Sequence, residues 1–542
     1  MKVKTKSKTK GKILSILTVF SLFIGFLAFF SGIWYCKAYG DVGFDSILFT
    51  LTNGIRGVGR DLATWYLWAA ALPTVICTVG ASFLLLRYWK KEHTYHVGKR
   101  HFHLRPLRRP VAAVVAAVMG ASMLFVAADI TGLSAHVSAK TTIGTLYENY
   151  YVAPEQTEIQ FPAEKRNLVY IFLESVENTY ADQESGGALD HNLIPELQQL
   201  AQENVSFSNT NQLGGIHSTV GTTWTTGALV GSTAGIHLQV PVEIDLNEYA
   251  NYYETFLPGA YGLTDVLHAN GYSQMFMCGS DASFGGRREY FTQHGVDQIY
   301  DLYSARADGL IDEDYFQWWG FEDAKLMEYA KEQITALSQG EQPFAFYMLT
   351  CDTHFVDGYI CPDCPRDENG ELLYEATYDN AIACSSKRVY EFVQWLLAQP
   401  FAENTTIVIS GDHRTMDNNY MEEFVDEEYV RTQYNCFINS AVKPVNTQNR
   451  GIAPFDLFPS TLAAMGCRIS GDKLALGTNL FSDQPTLMET LGSLEALNQE
   501  LAYKSLFYEE EIAAEFLEEK VRKTHGAGFP APLFFLKISL AG

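Results

Sequence analysis

Three charge-free apolar runs, at residues 13–35, 62–86 and 111–128, set the strongest constraint on how this chain folds. A helix crossing a hydrocarbon layer of about 30 Å needs about 20 such residues, and all three runs reach or approach that length. The first is too long for the apolar stretch of a cleaved leader. The third is short and Ala-rich, the pattern of a buried core helix, but the basic residues Arg105, Arg108 and Arg109 lie directly before it and favour a span. Orientation follows from Lys and Arg, which collect on the cytoplasmic side. Lys2, Lys4, Lys6, Lys8, Lys10 and Lys12 precede the first run. Arg87, Lys90, Lys91, Lys99, Arg100, Arg105, Arg108 and Arg109 fill the second loop, and the first loop carries Lys37, Arg56 and Arg60. The pattern predicts a multi-pass protein of the cytoplasmic (inner) membrane, with residues 1–133 as membrane domain, 134–165 as linker, and everything beyond on the outer side.

Charge divides the chain in the same way. Residues 1–110 hold 17 Lys and Arg against 4 Asp and Glu, leaving 22 against 59 in the remainder. So acidic a remainder excludes nucleic-acid binding through a basic face. Cys361, Cys364 and Cys384 gather around the loop CPDCPRDENG. A lone CxxC is a poor zinc signal, and in an oxidising compartment a disulfide pinning this loop fits better.

From about Asn167 strand-like runs alternate with helical patterns: residues 167–173, 205–209, 272–278, 343–350, 405–410 and 434–440 read as strands. This is the pattern of an α/β fold with a mostly parallel central sheet covered on both faces. Ligands of such sheets collect at the carboxyl ends of the strands. Glu174 follows the first strand, Asp352 and His354 the fourth, and Asp412 and His413 the fifth. A Gly-bearing loop after residues 205–209 leads to Thr219 and an expected helix from Val220. Carboxylates, imidazoles and a hydroxyl at one rim suit a divalent cation, which would ionise a threonine hydroxyl too weak to attack on its own. As ordinary structure, Thr219 would cap that helix.

In this order, NLVYIFLESVENTY (167–180), NQLGGIHST (211–219), CDTHFVDG (351–358) and ISGDHRTMDN (409–418), with FDSILFTLTNGIRGVGRD (44–61) before them, resemble the alkaline phosphatase/sulfatase superfamily. Within it, the chain is similar to the lipoteichoic acid synthases and phosphoglycerol transferases. The resemblance implies three transmembrane helices followed by a sulfatase-like catalytic domain at residues 166–483. It implies one divalent cation, Mn2+ before Mg2+ or Zn2+, held by Glu174, Thr219, Asp412 and His413, with Thr219 as nucleophile. His354 and Arg287 would bind substrate. Phosphatidylglycerol would be the donor lipid, and an envelope glycan or glycerol-phosphate polymer the acceptor. Cys364 would pair with Cys384, with Cys361 as alternative partner. Two departures stand out. Gly285 occupies the place of an aromatic residue of the lipoteichoic acid synthases, and Thr222, Thr223, Thr225 and Thr226 rival Thr219.

Other readings leave marks too. A sulfatase needs a C/S-x-P-x-R motif, which is absent near residue 219. A phosphoethanolamine transferase with a second zinc would recruit residues such as His217 and Asp417. A catalytically inactive envelope-binding protein would not keep Glu174, Thr219, Asp412 and His413 together. Residues 484–542 read as an acidic helical extension, a solvated cap rather than a site.

Overall fold

The computed structural model describes residues 2–40, 44, 47, 48, 64–88, 93–97, 100–104, 108–239 and 255–513. Most of the 44–61 motif and all of residues 514–542 lie outside these described residues.

Helix α1 (Lys2–Tyr39) comes first. A second helical rod follows, α2 (Leu72–Phe83) with a π-helical turn at each end. The hairpin β1 (His93–Val97) and β2 (Arg100–Leu104) leads to α3 (Arg109–Ile130). The segments Gly11–Tyr39, Thr64–Arg87 and Arg109–Ile130 are long and apolar enough to cross a membrane. Their outward faces are apolar, with Ile16 66% and Phe125 72% exposed, a surface that only lipid would cover favourably. The Ala-rich third run is no core helix of the globular part. It packs on α1 through Ala112, Ala116 and Gly120, spaced four apart. A Cβ on Gly120 would stand 2.5 Å from the Ser21 carbonyl oxygen, so glycine sets how closely the two backbones approach.

The globular part runs β3 (Asn167–Leu173), α4 (Pro195–Glu203), α5 (Thr225–Ala234), β4 (Ser273–Cys278), α6 (Arg287–Gln293), β5 (Gln298–Tyr300), α7 (Asp323–Ser338), β6 (Phe344–Leu349), α8 (Thr377–Leu397), β7 (Thr405–Gly411), α9 (Asn418–Phe424), β8 (Asn435–Ile438), α10 (Leu487–Leu491) and α11 (Leu494–Ala502). Six strands form one sheet in the order β5-β4-β6-β3-β7-β8, parallel throughout apart from β8. The central strands are apolar on both faces because both are covered. Tyr170 and Phe172 of β3 enter one core, while Val169, Ile171 and Leu173 enter the other. The α/β architecture expected from the sequence is therefore present.

Three local expectations are corrected, and one strand was not anticipated. Residues 205–209 are not a ladder strand. Val205 forms a single bridge to Phe437, and the Asn435 side chain then takes the Phe207 N–H (2.9 Å), so a side chain replaces the ladder at this sheet edge. The three-residue β5 was too short to show a pattern. No helix starts at Val220. Gly221, at φ +78°, turns the chain, and α5 begins only at Thr225. The described part of the C-terminal extension is no solvated cap either. Leu487, Met488, Leu497, Leu501, Tyr508 and Ile512 are buried in the main core.

Candidate metal centre and active site

The two central strands deliver the charged groups. Glu174 follows β3, and Asp412 and His413 follow β7, its parallel neighbour. Asp412 Oδ1 accepts the backbone N–H of Ser175 (2.8 Å) and of His413 (2.7 Å). Its Oδ2 is buried without a hydrogen-bond partner, 3.4 Å from His413 Nε2. Glu174 Oε1 lies 3.4 Å from the same nitrogen and accepts from Ser175 Oγ (3.0 Å). His413 Nδ1 meets the Arg414 carbonyl (2.8 Å), an acceptor that fixes the proton on Nδ1 and turns Nε2 toward the carboxylates. One ligand atom from each of the three residues lies within 4.8 Å of the other two.

The electrostatics of this centre suit a cation. Burial, then the charge of Glu174, pushes the Asp412 carboxyl up to about 7. Burial would also raise Glu174, but His413 and His354 outweigh it and hold that carboxyl at about 2. Burial disfavours a charged His413, yet the two carboxylates raise it to about 10. The two carboxylates thus favour positive charge at the imidazole between them. An orphaned buried carboxylate oxygen beside a second carboxylate and an imidazole nitrogen is a donor set that fits a divalent ion.

The hydroxyl at this centre is that of Thr225, not Thr219. Thr225, the first residue of α5, has its Oγ1 3.4 Å from Glu174 Oε2 and 3.3 Å from His413 Nε2. Thr219 is buried and turned inward. Its N–H donates to Thr222 Oγ1 (3.0 Å), its own hydroxyl lies 3.1 Å from the same oxygen, and its carbonyl accepts Thr222 N–H (3.0 Å). Thr219 thus braces the turn from which Thr225 emerges at the helix N-terminus, where free backbone N–H groups favour an anion.

His354 is half-buried and close enough to feel the charges of Glu174, His413 and Arg287. Burial is the largest influence and lowers its pKa. Its Nδ1 contacts the Phe355 carbonyl (2.6 Å), leaving Nε2 for a ligand. Arg287, at the start of α6, is buried. Its Nε donates to Phe284 O (2.9 Å), and its Nη2 to Ser280 Oγ (3.1 Å) and Asp281 O (2.8 Å). Trp319, which the sequence reading missed, lays its ring 4.4 Å from that of His354. It comes from a loop without periodicity, and the paired Trp318 and Trp319 were the only signal.

Cys364 and Cys384 are joined (Cα–Cα 5.2 Å), while Cys361 is a buried thiol. Cys361 Sγ donates to Asp352 Oδ2 (3.0 Å), and Asp352 faces Asp323. Asp323, Cys351 and Asp352 form a second cluster, but its acceptors are in use. The Asp323 oxygens take the N–H groups of Cys351 (2.8 Å) and Asp352 (3.1 Å), and Asp352 Oδ1 takes that of Asp323 (3.2 Å). Burial, then the neighbouring Asp323 charge, raises Asp352 well above 3.8; burial raises Asp323 too. The folded pair therefore keeps a proton that free carboxyls lose near pH 4. Stability from this pair is fully present below that pH and is lost as the pH rises through the raised folded values. Asp352→Asn should flatten this dependence. Urea midpoints measured from about pH 4 upward should fall less for the variant than for the wild type, and parallel curves would refute the assignment. His217, held down to about 4 by burial and then by Arg414, and Asp417, which caps α9 through Tyr420 N–H (3.2 Å), belong to neither cluster.

The sequence profile of the family described as Sulfatase matches residues 166–467. Phosphoglycerol transferase I of Salmonella paratyphi B is 33% identical over 385 residues, which cover 70% of this chain and 46% of that protein; the enzyme of the same name from Salmonella typhimurium aligns to the same extent. The chain thus spans about half the length of the curated relatives it matches. Among solved structures, the lipoteichoic acid synthase LtaP from Listeria monocytogenes superposes with a TM-score of 0.45 at 18% identity, over 60% of this chain and 79% of that one. The lipooligosaccharide phosphoethanolamine transferase EptA from Neisseria meningitidis gives 0.48 at 13% identity, over 84% of each. With the profile spanning more than half of the chain and covering Glu174, Asp412 and His413, the protein belongs to the sulfatase family.

Proposed function

We propose that the protein is a membrane-anchored phosphoglycerol transferase that moves sn-glycerol 1-phosphate from phosphatidylglycerol to an acceptor on the outer side of the cytoplasmic membrane, through a covalent threonine intermediate. The observation that carries this reading is the Thr225 hydroxyl at a helix N-terminus, within 3.4 Å of Glu174 and His413. Glu174, Asp412, His413 and the Thr225 hydroxyl would hold the divalent ion, Mn2+ by donor type with Mg2+ or Zn2+ as alternatives. When bound, such an ion lowers the pKa of the hydroxyl and neutralises charge developing on the phosphoryl oxygens.

Thr225 Oγ1 gives up its proton and attacks phosphorus. The bond to the diacylglycerol oxygen breaks, and glycerophosphoryl-threonine remains. The backbone N–H groups at the start of α5 face the phosphoryl oxygens. Neutral His354 carries the proton released by Thr225 to the leaving lipid oxygen. It then takes the proton of the acceptor hydroxyl, which attacks phosphorus and displaces Thr225, and returns that proton to Thr225 Oγ1 as the threonine–phosphorus bond breaks. Arg287 contributes positive charge beside the glycerophosphate.

A groove of about 1150 Å³, separate from Glu174, Thr225, Asp412 and His413, lies beyond the β8 edge, with Asp182, Glu184, Asp190 and several carboxamides in its wall. No Lys or Arg lines it among the described residues. An acceptor seated on this face would be a neutral glycan rather than a glycerol-phosphate polyanion.

The test is purified protein supplied with headgroup-labelled phosphatidylglycerol, together with either neutral gluco-oligosaccharides or glycerol-phosphate oligomers. Label should move to the neutral oligosaccharide, and diacylglycerol should appear slowly even without acceptor. No diacylglycerol from any lipid preparation would refute the reaction. Topology is tested separately: reporters fused after Arg100 and after Asn178 should lie on opposite sides of the membrane, and a shared side would refute the orientation.

A further inference from the structure

A run of aromatic rings joins the membrane helices to the substrate-binding histidine. Trp65 and Tyr66, at the start of the second span, lie 6.1 and 5.0 Å from Trp34 of α1. Trp34 lies 5.9 Å from Tyr39, and Tyr39 5.4 Å from Phe355. Phe355 stacks on His354 at 5.0 Å, Trp319 covers His354 at 4.4 Å, and Trp319 lies 5.7 Å from Phe284. The Arg287 guanidinium stands 5.8 Å over the Phe284 ring. Apart from the closer Trp319–His354 contact, every ring-to-ring distance falls within the range of attractive aromatic pairs. Ala38, Tyr39, Trp34, Trp65, Phe355, Val356 and Met416 form one packed cluster. It thereby binds the loop after β6 and the loop after β7 to a single helix end.

That helix end is fitted to the rim. Gly40 closes α1 with its N–H on Cys36 O (3.0 Å) at φ +64°, and a Cβ there would stand 2.6 Å from Asn418 Oδ1 on α9. A side chain there would strain the left-handed backbone and push the Asn418 side chain aside. A cavity of about 300 Å³ opens at this junction, between Tyr39, Gly40, Ser218, Thr223 and Arg414. Trp and Tyr are also the residues that settle at the edge of the hydrocarbon layer. Their concentration here sets the depth of the junction at the membrane surface.

We propose that Tyr39 is a positioning residue for His354, so that the first membrane span is a working part of the active site and not only its tether. This rests on the reading of His354 as the group that meets substrate. A ring packed on Phe355 limits the freedom of the adjoining His354, and a misplacement of about 1 Å at such a group costs about a hundredfold in rate.

The experiment uses the full chain in nanodiscs and two substrates: phosphatidylglycerol in the same bilayer, and bis(p-nitrophenyl) phosphate in solution. Tyr39→Ala should lower kcat for both substrates by about tenfold to a hundredfold, with bound Mn2+ and the KM for the soluble diester little changed. Tyr39→Phe should restore both rates, since it keeps the ring. If Tyr39→Ala does not fold, Tyr39→Leu keeps apolar volume without the ring and should show the same loss. A loss confined to the bilayer substrate would mean that Tyr39 serves membrane seating alone and would overturn the proposal. His354→Ala separates the two levels of inference. If that variant turns over the soluble diester normally, the role of His354 is wrong. If it is inactive while Tyr39→Ala is normal, the coupling is wrong.

Discussion

Thr225→Ala is expected to abolish diacylglycerol release, with a fall of at least about 10⁴-fold, the scale on which a covalent nucleophile is lost. Thr225→Ser should retain turnover. Alanine is well tolerated in helices, so the loss would not come from unfolding of α5. Thr219→Ala should behave differently. It removes a hydroxyl packed against Thr222, at a cost of about 1–2 kcal/mol in stability and less than about tenfold in rate. After a brief exposure to headgroup-labelled phosphatidylglycerol, peptide mapping of quenched wild-type protein should place the added glycerophosphate on Thr225. Wild-type turnover in Thr225→Ala would exclude it as the nucleophile, and the same label on Thr219 would reinstate the sequence-derived choice.

The second large effect concerns the ion. Asp412→Asn and His413→Ala should each reduce bound Mn2+ from one equivalent per chain to none by native mass spectrometry, and lower turnover by about 10³-fold or more. The wild-type centre places two buried carboxylates and an imidazole together, with Asp412 Oδ2 unpartnered. Stripping the ion should also lower the thermal midpoint by a few degrees, because a ligand that binds only the folded state stabilises it. Restored Mn2+ should reverse both changes. Undiminished turnover in fully demetallated protein would rule out the centre as the site of chemistry. A second equivalent of zinc lost with His217→Ala or Asp417→Asn would redirect the reading toward a two-zinc transferase.

Glu174, Asp412 and His413 were legible in the sequence because each follows a strand-like run with an apolar centre, and a parallel sheet places such positions at one rim. The threonine was not legible in the same way. Its position depends on the turn at Gly221, and a left-handed backbone angle shifted the helix start past Thr219 to Thr225. The composition of TVGTTWTTGALVGS offered five threonines and no periodic signal to choose among them. Residues 205–209 failed for another reason. Their alternation fits a strand, but the edge they meet is completed by the Asn435 side chain, a partnership that propensity does not encode. The acidic surface of α11 suggested a helix in solvent, yet Leu497 and Leu501 point into the main core. The aromatic run reaching His354 draws its members from positions 34 to 355, so only the folded chain reveals it.

Asn498 on α11 accepts the Val220 N–H at 2.9 Å, next to the turn that presents Thr225. The consequence lies in biosynthesis. The chain is made from its N-terminus, so the threonine turn is synthesised almost 280 residues before the side chain that clasps it. A nascent chain thus carries Thr225, Glu174, Asp412 and His413 while the turn is still unclasped. The turn that presents Thr225 is clasped only once α11 has been made and has docked, so this corner of the centre takes its final order at the end of synthesis.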